Sequence, residues 1–164
     1  MKLKNTITTL LIAGMATLAA NGATNIIWDS PENFRDIKYF DSDSEKSRSI
    51  VMKDLEKYFI REANRVLTPG HSLTIKVTDV DLAGEFEPWR FHLDDTRIIK
   101  SVYPARLAFD YAVTAEDGTV VAEGSELLRD NLHIAPMHLR NEEHPYVKDL
   151  FRTWVRKMAR NHIS

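Results

Sequence analysis

Apolar positions along this chain change period several times, and each change marks a new element. Asn25 to Trp28 is a short β-type run closed by Asp29-Ser30-Pro31, because a proline cannot donate a hydrogen bond to a sheet ladder. An irregular loop carrying Phe34 and Ile37 follows. Next comes Asp41-Ser42-Asp43-Ser44, whose short oxygen-bearing side chains suit a helix N-cap, with Ser42 and Glu45 at the spacing of a capping box. From Glu45 to about Leu67, Val51, Leu55, Tyr58, Phe59, Ala63 and Val66 recur at helical spacing. Lys53, Glu56, Lys57 and Arg61 fill the opposite face, and Pro69-Gly70 is the expected stop.

The period then drops to two. Leu73, Ile75 and Val77 alternate with Thr74, Lys76 and Thr78, which predicts a half-buried strand. Beyond Thr78 the phase slips, since Val80 and Leu82 rather than Asp79 and Asp81 are apolar. One extra residue swaps the faces of a strand, so a β-bulge or a strand end is expected near Thr78-Asp79. Gly84 to Lys100 reads as a polar and aromatic connection with Pro88, Trp89, Phe91 and Asp94-Asp95, and with a short extended piece at Arg97 to Ile99. Tyr103 to Thr114 and Thr119 to Arg129 form a hairpin about Asp117-Gly118, a pair suited to a two-residue type I′ turn. That turn sets Val113 opposite Ala122, Tyr111 opposite Gly124 and Leu107 opposite Leu128, with Phe109 on the same apolar face. Pro145 opens a last helix with Val147, Leu150, Phe151, Trp154, Val155 and Met158 on one stripe. Arg152, Arg156, Lys157 and Arg160 crowd toward its C-terminal end, where they complement the helix dipole as a solvated basic face or meet an anionic surface.

The order β, α, β, β, β, α predicts the α+β class: a two-layer sandwich with an about four-stranded, mostly antiparallel sheet and two helices on one face. Internal repeats and low-complexity tracts are absent from the sequence.

The first residues belong to a different kind of segment. Lys2 and Lys4 precede an apolar stretch from Ile7 to Ala20, and small residues continue through Ala23. This is the three-part pattern of a cleavable export signal, with cuts expected after Ala20, Gly22 or Ala23. Residues 1–23 are read as the signal and 24–164 as a single α+β domain. An uncleaved anchor is the alternative, but the stretch is short of the ~20 apolar residues that span a bilayer. The chain has no cysteine, which excludes a lipidated processing site, disulfides and thiolate chemistry. Cleavage removes two lysines and no acid, taking the formal charge from −2 to −4. That balance argues against a nucleic-acid binder, and no second stretch is apolar enough for a membrane span. A periplasmic or secreted location is expected.

Candidate chemistry is sparse. Asp79 and Asp81 stand two residues apart at a strand end, with Glu85 and Glu87 following. Paired carboxylates divide acid and base roles or hold a hard cation, yet no calcium-loop spacing is present, and satisfying turn or bulge amides is the simpler use. His133, His138, His144 and His162 crowd the last quarter of the chain, but at no spacing of a helical histidine pair or a zinc finger, so no metal is assigned. No Gly-x-Ser-x-Gly elbow and no phosphate-binding glycine loop occur, and no cofactor is expected. Trp89, Tyr103 and Trp154 could line a pocket, although large aromatics more often fill a core.

Several strings together resemble the domain of unknown function 3016 family of exported bacterial proteins: Trp28 through Ile37, Leu67-Thr68-Pro69-Gly70, Val77 through Gly84, Tyr103-Pro104-Ala105-Arg106-Leu107 and Leu128-Arg129-Asp130. The resemblance implies a single exported domain and no particular activity. It marks Asp79, Asp81, Gly84, Arg106 and Asp130 as candidate functional positions. The expected function is that of a non-enzymatic binding or accessory module that meets an envelope protein through the last helix or the hairpin. The alternatives are a metal-dependent or carboxylate-based hydrolase using Asp79, Asp81 or Asp130 with a terminal histidine, and a small-ligand or metal carrier.

Overall fold

The computed structural model describes residues 23–39, 42–87, 89, 96–130, 139 and 141–162. Residues 1–22, and Asp41, Pro88, Phe91, Asp94, Asp95, His133 and His138 among the residues singled out above, lie outside that set. The elements are β1 (Thr24–Trp28), a 3-10 turn (Pro31–Asn33), α1 (Glu45–Asn64), β2 (Ser72–Asp81), β3 (Glu85–Phe86), β4 (Arg97–Ile98), β5 (Arg106–Thr114), β6 (Val120–Arg129) and α2 (Pro145–His162). Four strands form one sheet in the order β1-β2-β5-β6, and β3 pairs with β4 in a small second sheet. β1 runs parallel to β2, while β2–β5 and β5–β6 are antiparallel.

One face of the sheet is apolar because the period-two residues of neighbouring strands are in register. Leu73, Ile75, Val77 and Val80 lie opposite Val113, Tyr111, Phe109 and Leu107. All of these but Tyr111 are buried. Both helices cover that face. α1 supplies Val51, Leu55, Tyr58, Phe59 and Ala63, and α2 supplies Val147, Phe151, Trp154, Val155 and Met158. Phe59 stacks on Phe151 at 4.1 Å, and Trp154 meets Phe109 and Tyr111 edge-on at 4.6 and 5.0 Å. Each buried side chain of this size stabilises the fold by about 1.5–3 kcal/mol, so this apolar face accounts for the two-layer α+β sandwich.

The bulge falls where the phase slips. Val77 pairs with Phe109 and Asp79 with Ala108, leaving Thr78 as the extra residue. Val77 and Val80 therefore both reach the core, while Asp79 and Asp81 alternate onto the uncovered face.

The hairpin keeps the expected partners, Val113↔Ala122, Tyr111↔Gly124 and Leu107↔Leu128, but not the expected turn. A type I′ turn needs positive φ at both central residues, and Asp117 does not have it, whereas Gly118 sits at φ 84. Gly118 N–H donates to the Ala115 carbonyl and Ala115 N–H to the Thr119 carbonyl, each at 2.9 Å, closing a three-residue loop. A second bulge, with Thr114 opposite Val120, restores the register.

Three further expectations are corrected. The N-cap of α1 is Ser44, whose hydroxyl accepts from Ser47 N–H at 3.1 Å, so the Ser42–Glu45 capping box does not form. α1 ends at Asn64, before Pro69-Gly70. Gly70, at φ 83, instead serves a turn closed by His71 N–H donating to the Thr68 carbonyl at 3.1 Å. Trp89 is not core filling, being 71% exposed. Arg152 and Arg156 are not simply solvated either, as the next section describes.

Candidate functional site

The structure brings three of the five candidate positions together at one end of the uncovered sheet face. Asp81, Arg106 and Arg129 lie in register across β2, β5 and β6. Arg106 Nε is 3.7 Å from Asp81. Asp79 accepts the Arg35 N–H at 2.9 Å and pairs with Arg35 Nε at 3.2 Å. Burial and the neighbouring Asp36 carboxylate push the Asp81 carboxyl above its ordinary range, against the pull of Arg106. Gly84 and Asp130 are placed differently. Gly84, at φ 84, leads into β3, with a carbonyl that accepts from Arg97 at 2.9 Å. A Cβ there would lie 2.6 Å from Ile99 Cδ1 and 2.8 Å from the Ile98 carbonyl oxygen, so glycine is required by close backbone approach. Asp130 follows β6 and donates its N–H to Ala105 at 3.0 Å.

Asp36 extends the parallel edge by bridging to Asp81, with its N–H on the Val80 carbonyl at 3.0 Å and its own carbonyl accepting from Leu82 at 3.0 Å. Its buried carboxylate receives both arms of Arg97, at 2.5 and 3.3 Å, and Arg97 also lies over the Phe86 ring at 4.5 Å. The fully buried Glu87 carboxylate is held by Lys100. The Asp36–Arg97 pair attaches the β3–β4 unit to the end of the main sheet, and the Glu87–Lys100 pair braces that unit from within.

Two buried charges join the helices. Lys148 of α2, fully buried, sits 2.9 Å from Asp54 of α1 and 2.8 Å from Glu142, with its Nζ 5.2 Å from the Tyr58 ring. The ammonium, together with Arg61, holds the Glu142 carboxyl below its usual range. Burial, reinforced by the Glu62 charge, pushes the Tyr58 phenol up to about 12. Glu62, 4% exposed, is approached by Arg65 at 2.6 Å, Arg61 and Arg156 at 3.7 Å and Arg152 at 3.8 Å. Two of the α2 arginines expected to form a solvated basic face thus neutralise a buried acid on α1. Sequence reading missed these groups, although a signal was there. Lys148 precedes Phe151 and Val155 by three and seven residues, and Glu62 follows Phe59 and Leu55 by the same intervals, so both charges lie on apolar stripes.

His144 immediately precedes α2 at φ 51, with its carbonyl accepting from Lys148 N–H at 3.2 Å. Burial holds its imidazole far below the ordinary value, at about 4, against the opposing charge of Asp54. A mostly apolar cavity of about 290 Å³ lies beside it, walled by Leu82, Ala83, Ile99, Tyr146 and Val147.

β6 is the sheet edge. Because Asp130 N–H bonds to Ala105, the antiparallel alternation turns the backbone groups of Glu123, Ser125, Leu127 and Arg129 away from β5. No described strand pairs with them. A groove of about 660 Å³ runs between β6 and α2, with Tyr111, Leu128, Leu150, Trp154 and Met158 inside and Glu126, Arg129, Asp149 and Lys157 at its rim. Leu127 is 71% exposed beside it.

Together these features define a two-layer α+β sandwich with a charged sheet end and an edge strand, unpaired on its outer side among the described residues, over an apolar groove. The chain belongs to the family described as protein of unknown function (DUF3016), whose profile matches residues 22–157. No curated protein matches it. Among solved structures, it is similar to the hypothetical protein CT253 from Chlamydia trachomatis, at 10% identity and a TM-score of 0.38, over 85% of this chain and 96% of that one. It is also similar to a minor lipoprotein from Acinetobacter baumannii, at 8% identity and a TM-score of 0.34, over 84% of this chain and 92% of that one. Among the described residues no helix is long and apolar enough to cross a membrane.

Proposed function

We infer that this protein is an exported, non-enzymatic accessory module of the cell envelope that captures an extended segment of another protein along β6. What carries the reading is the edge of β6, a ten-residue strand whose outward backbone groups adjoin the groove under α2. Unpaired main-chain donors and acceptors in a row are matched by another polypeptide backbone, and the adjoining groove takes alternate side chains of an added strand. The export half of the proposal is supported by the basic, apolar and small-residue order of the first 23 residues.

The hydrolase alternative needs Asp79 or Asp81 and Asp130 in one pocket with a histidine. Asp79 lies on β2 and Asp130 beyond the end of β6, with β5 between them. Strand spacing and rise put them roughly 14 Å apart. Asp79 and Asp81 are also faced by Arg35 and Arg106, a pattern that ties strands together. The test is photo-cross-linking in the native envelope from a reactive residue at position 127, with exposed Lys53 on α1 as the control position. A protein attached reproducibly from 127 and not from 53 is expected. Identical backgrounds from both positions would overturn strand capture.

A further inference from the structure

Asp54, Glu143 and His144 each offer one ligand atom, and the three atoms lie within 4.8 Å of one another. Asp54 comes from the middle of α1, whereas Glu143 and His144 come from the turn into α2, so the cluster spans the helix junction. A second observation points to a ligand. His144 Nε2 is buried and has no hydrogen-bond partner among the described residues, and leaving such a group unsatisfied is costly. Nearby charges bear on whether a cation fits. Asp54 and Glu142 already face Lys148, and Glu142 also faces Arg61. Glu143 is exposed.

We propose that Asp54, Glu143 and His144 form a site for a divalent transition-metal ion of the zinc type, which staples α1 to the start of α2. One imidazole with two carboxylates is a donor set that such ions accept, and three protein ligands leave the fourth position to water. Ligands of a tetrahedral zinc stand roughly 3.3–3.6 Å apart when the bonds are 2.0–2.2 Å long, so drawing the three ligand atoms in from separations of up to 4.8 Å brings the set to bonding geometry. Lys148 keeps Glu142 as its counterion and shares Asp54 with the metal, which places the affinity below that of a closed structural zinc site. The site is independent of strand capture at β6.

The experiment is titration of the untagged, chelator-treated protein with Zn²⁺ alone, followed by calorimetry and by the thermal midpoint. Saturable binding of one ion per chain is expected, with a raised midpoint and at least tenfold weaker binding in both His144→Ala and Glu143→Gln. Cobalt(II) in place of zinc should give the intense visible bands of a four-coordinate site in the wild type and lose them in the variants. Glu143→Gln, at an exposed side chain, keeps the test decisive if His144→Ala does not fold. No saturable binding, or binding unchanged in a folded variant, overturns the proposal, the latter by assigning the ion to histidines elsewhere such as His133 and His138.

Discussion

Lys148 places its ammonium 2.9 Å from the Asp54 carboxylate across the junction of α1 and α2, with only 1% of the lysine side chain exposed against 31% of the aspartate. The asymmetry decides the energetics. Removing the lysine leaves two carboxylates that water partly reaches, whereas removing an acid leaves a buried ammonium with a single counterion. Lys148→Ala should therefore lower unfolding free energy by about 2–4 kcal/mol through lost pairing and a new cavity. Lys148→Met, which refills the volume, should cost less. Asp54→Asn combined with Glu142→Gln should cost more than either single change, because only the double variant strips the ammonium of both counterions. Urea denaturation of the wild type and these five variants at one pH checks the ranking, and an Ala variant as stable as wild type would rule the account out.

Gly84 and Gly118 share a φ of 84 but not their surroundings: a Cβ at 84 meets Ile99 and the Ile98 carbonyl, while one at 118 meets nothing within 4 Å among the described residues. An alanine at either pays the left-handed backbone cost of about 1–2 kcal/mol, and at 84 a steric cost of about 1–3 kcal/mol is added. Gly84→Ala should thus destabilise the protein clearly more than Gly118→Ala, and asparagine should be tolerated at 118 only. Thermal midpoints of the two alanine variants provide the comparison, and equal losses would contradict the close approach at Gly84.

These contrasts also show what sequence reading could and could not reach. The bulge at Thr78 was legible because the apolar phase slips there and only one inserted residue keeps Val77 and Val80 on the same side. The hairpin partners were legible for an incomplete reason: a three-residue loop followed by a bulge at Val121 gives the same pairing sums as the two-residue turn that Asp117-Gly118 favours. Ser44 rather than Ser42 caps α1 because four short polar residues in a row offer several caps, and the choice is made where Ser47 turns inward, its hydroxyl accepting from Tyr39 N–H at 2.8 Å. Of the candidate positions, Asp79, Asp81 and Arg106 meet on neighbouring strands, whereas Gly84 and Asp130 occupy separate backbone roles. The grouping of Asp54 with His144 was not legible, since residues 90 positions apart meet only once both helices pack on the sheet.

His144 gives the protein a pH-dependent stability of known sign. Its folded-state value of about 4 lies below the ordinary 6.5, so the unfolded chain binds the proton more readily. Its contribution is fully present above pH 6.5 and is lost as pH falls toward 4, by up to about 3 kcal/mol. Asp54 and Asp36 favour protonation in the folded state while Lys148 and Arg97 oppose it, and burial decides the outcome. The difference in urea midpoint between pH 7 and pH 4.5, measured without metal, should shrink in His144→Gln. An unchanged difference would assign the acid sensitivity to other groups.

Strand capture at β6 makes a prediction that separates its outward backbone from its inward backbone. Glu123 N–H points away from β5, whereas Glu126 stands in the hydrogen-bonded register with Phe109. Proline is tolerated on an edge strand where its missing N–H faces outward, and costs about 3 kcal/mol or more where it removes a ladder bond. Glu123→Pro should therefore keep a near-wild-type thermal midpoint yet abolish cross-linking from position 127, and Glu126→Pro should lose the midpoint itself. Leu127→Glu should weaken capture with little change in stability, because that leucine is already 71% exposed. A Glu123→Pro protein that stays folded and still cross-links at full yield would show that the partner does not add a strand to this edge, and would move the contact to the side chains of α2 that line the groove.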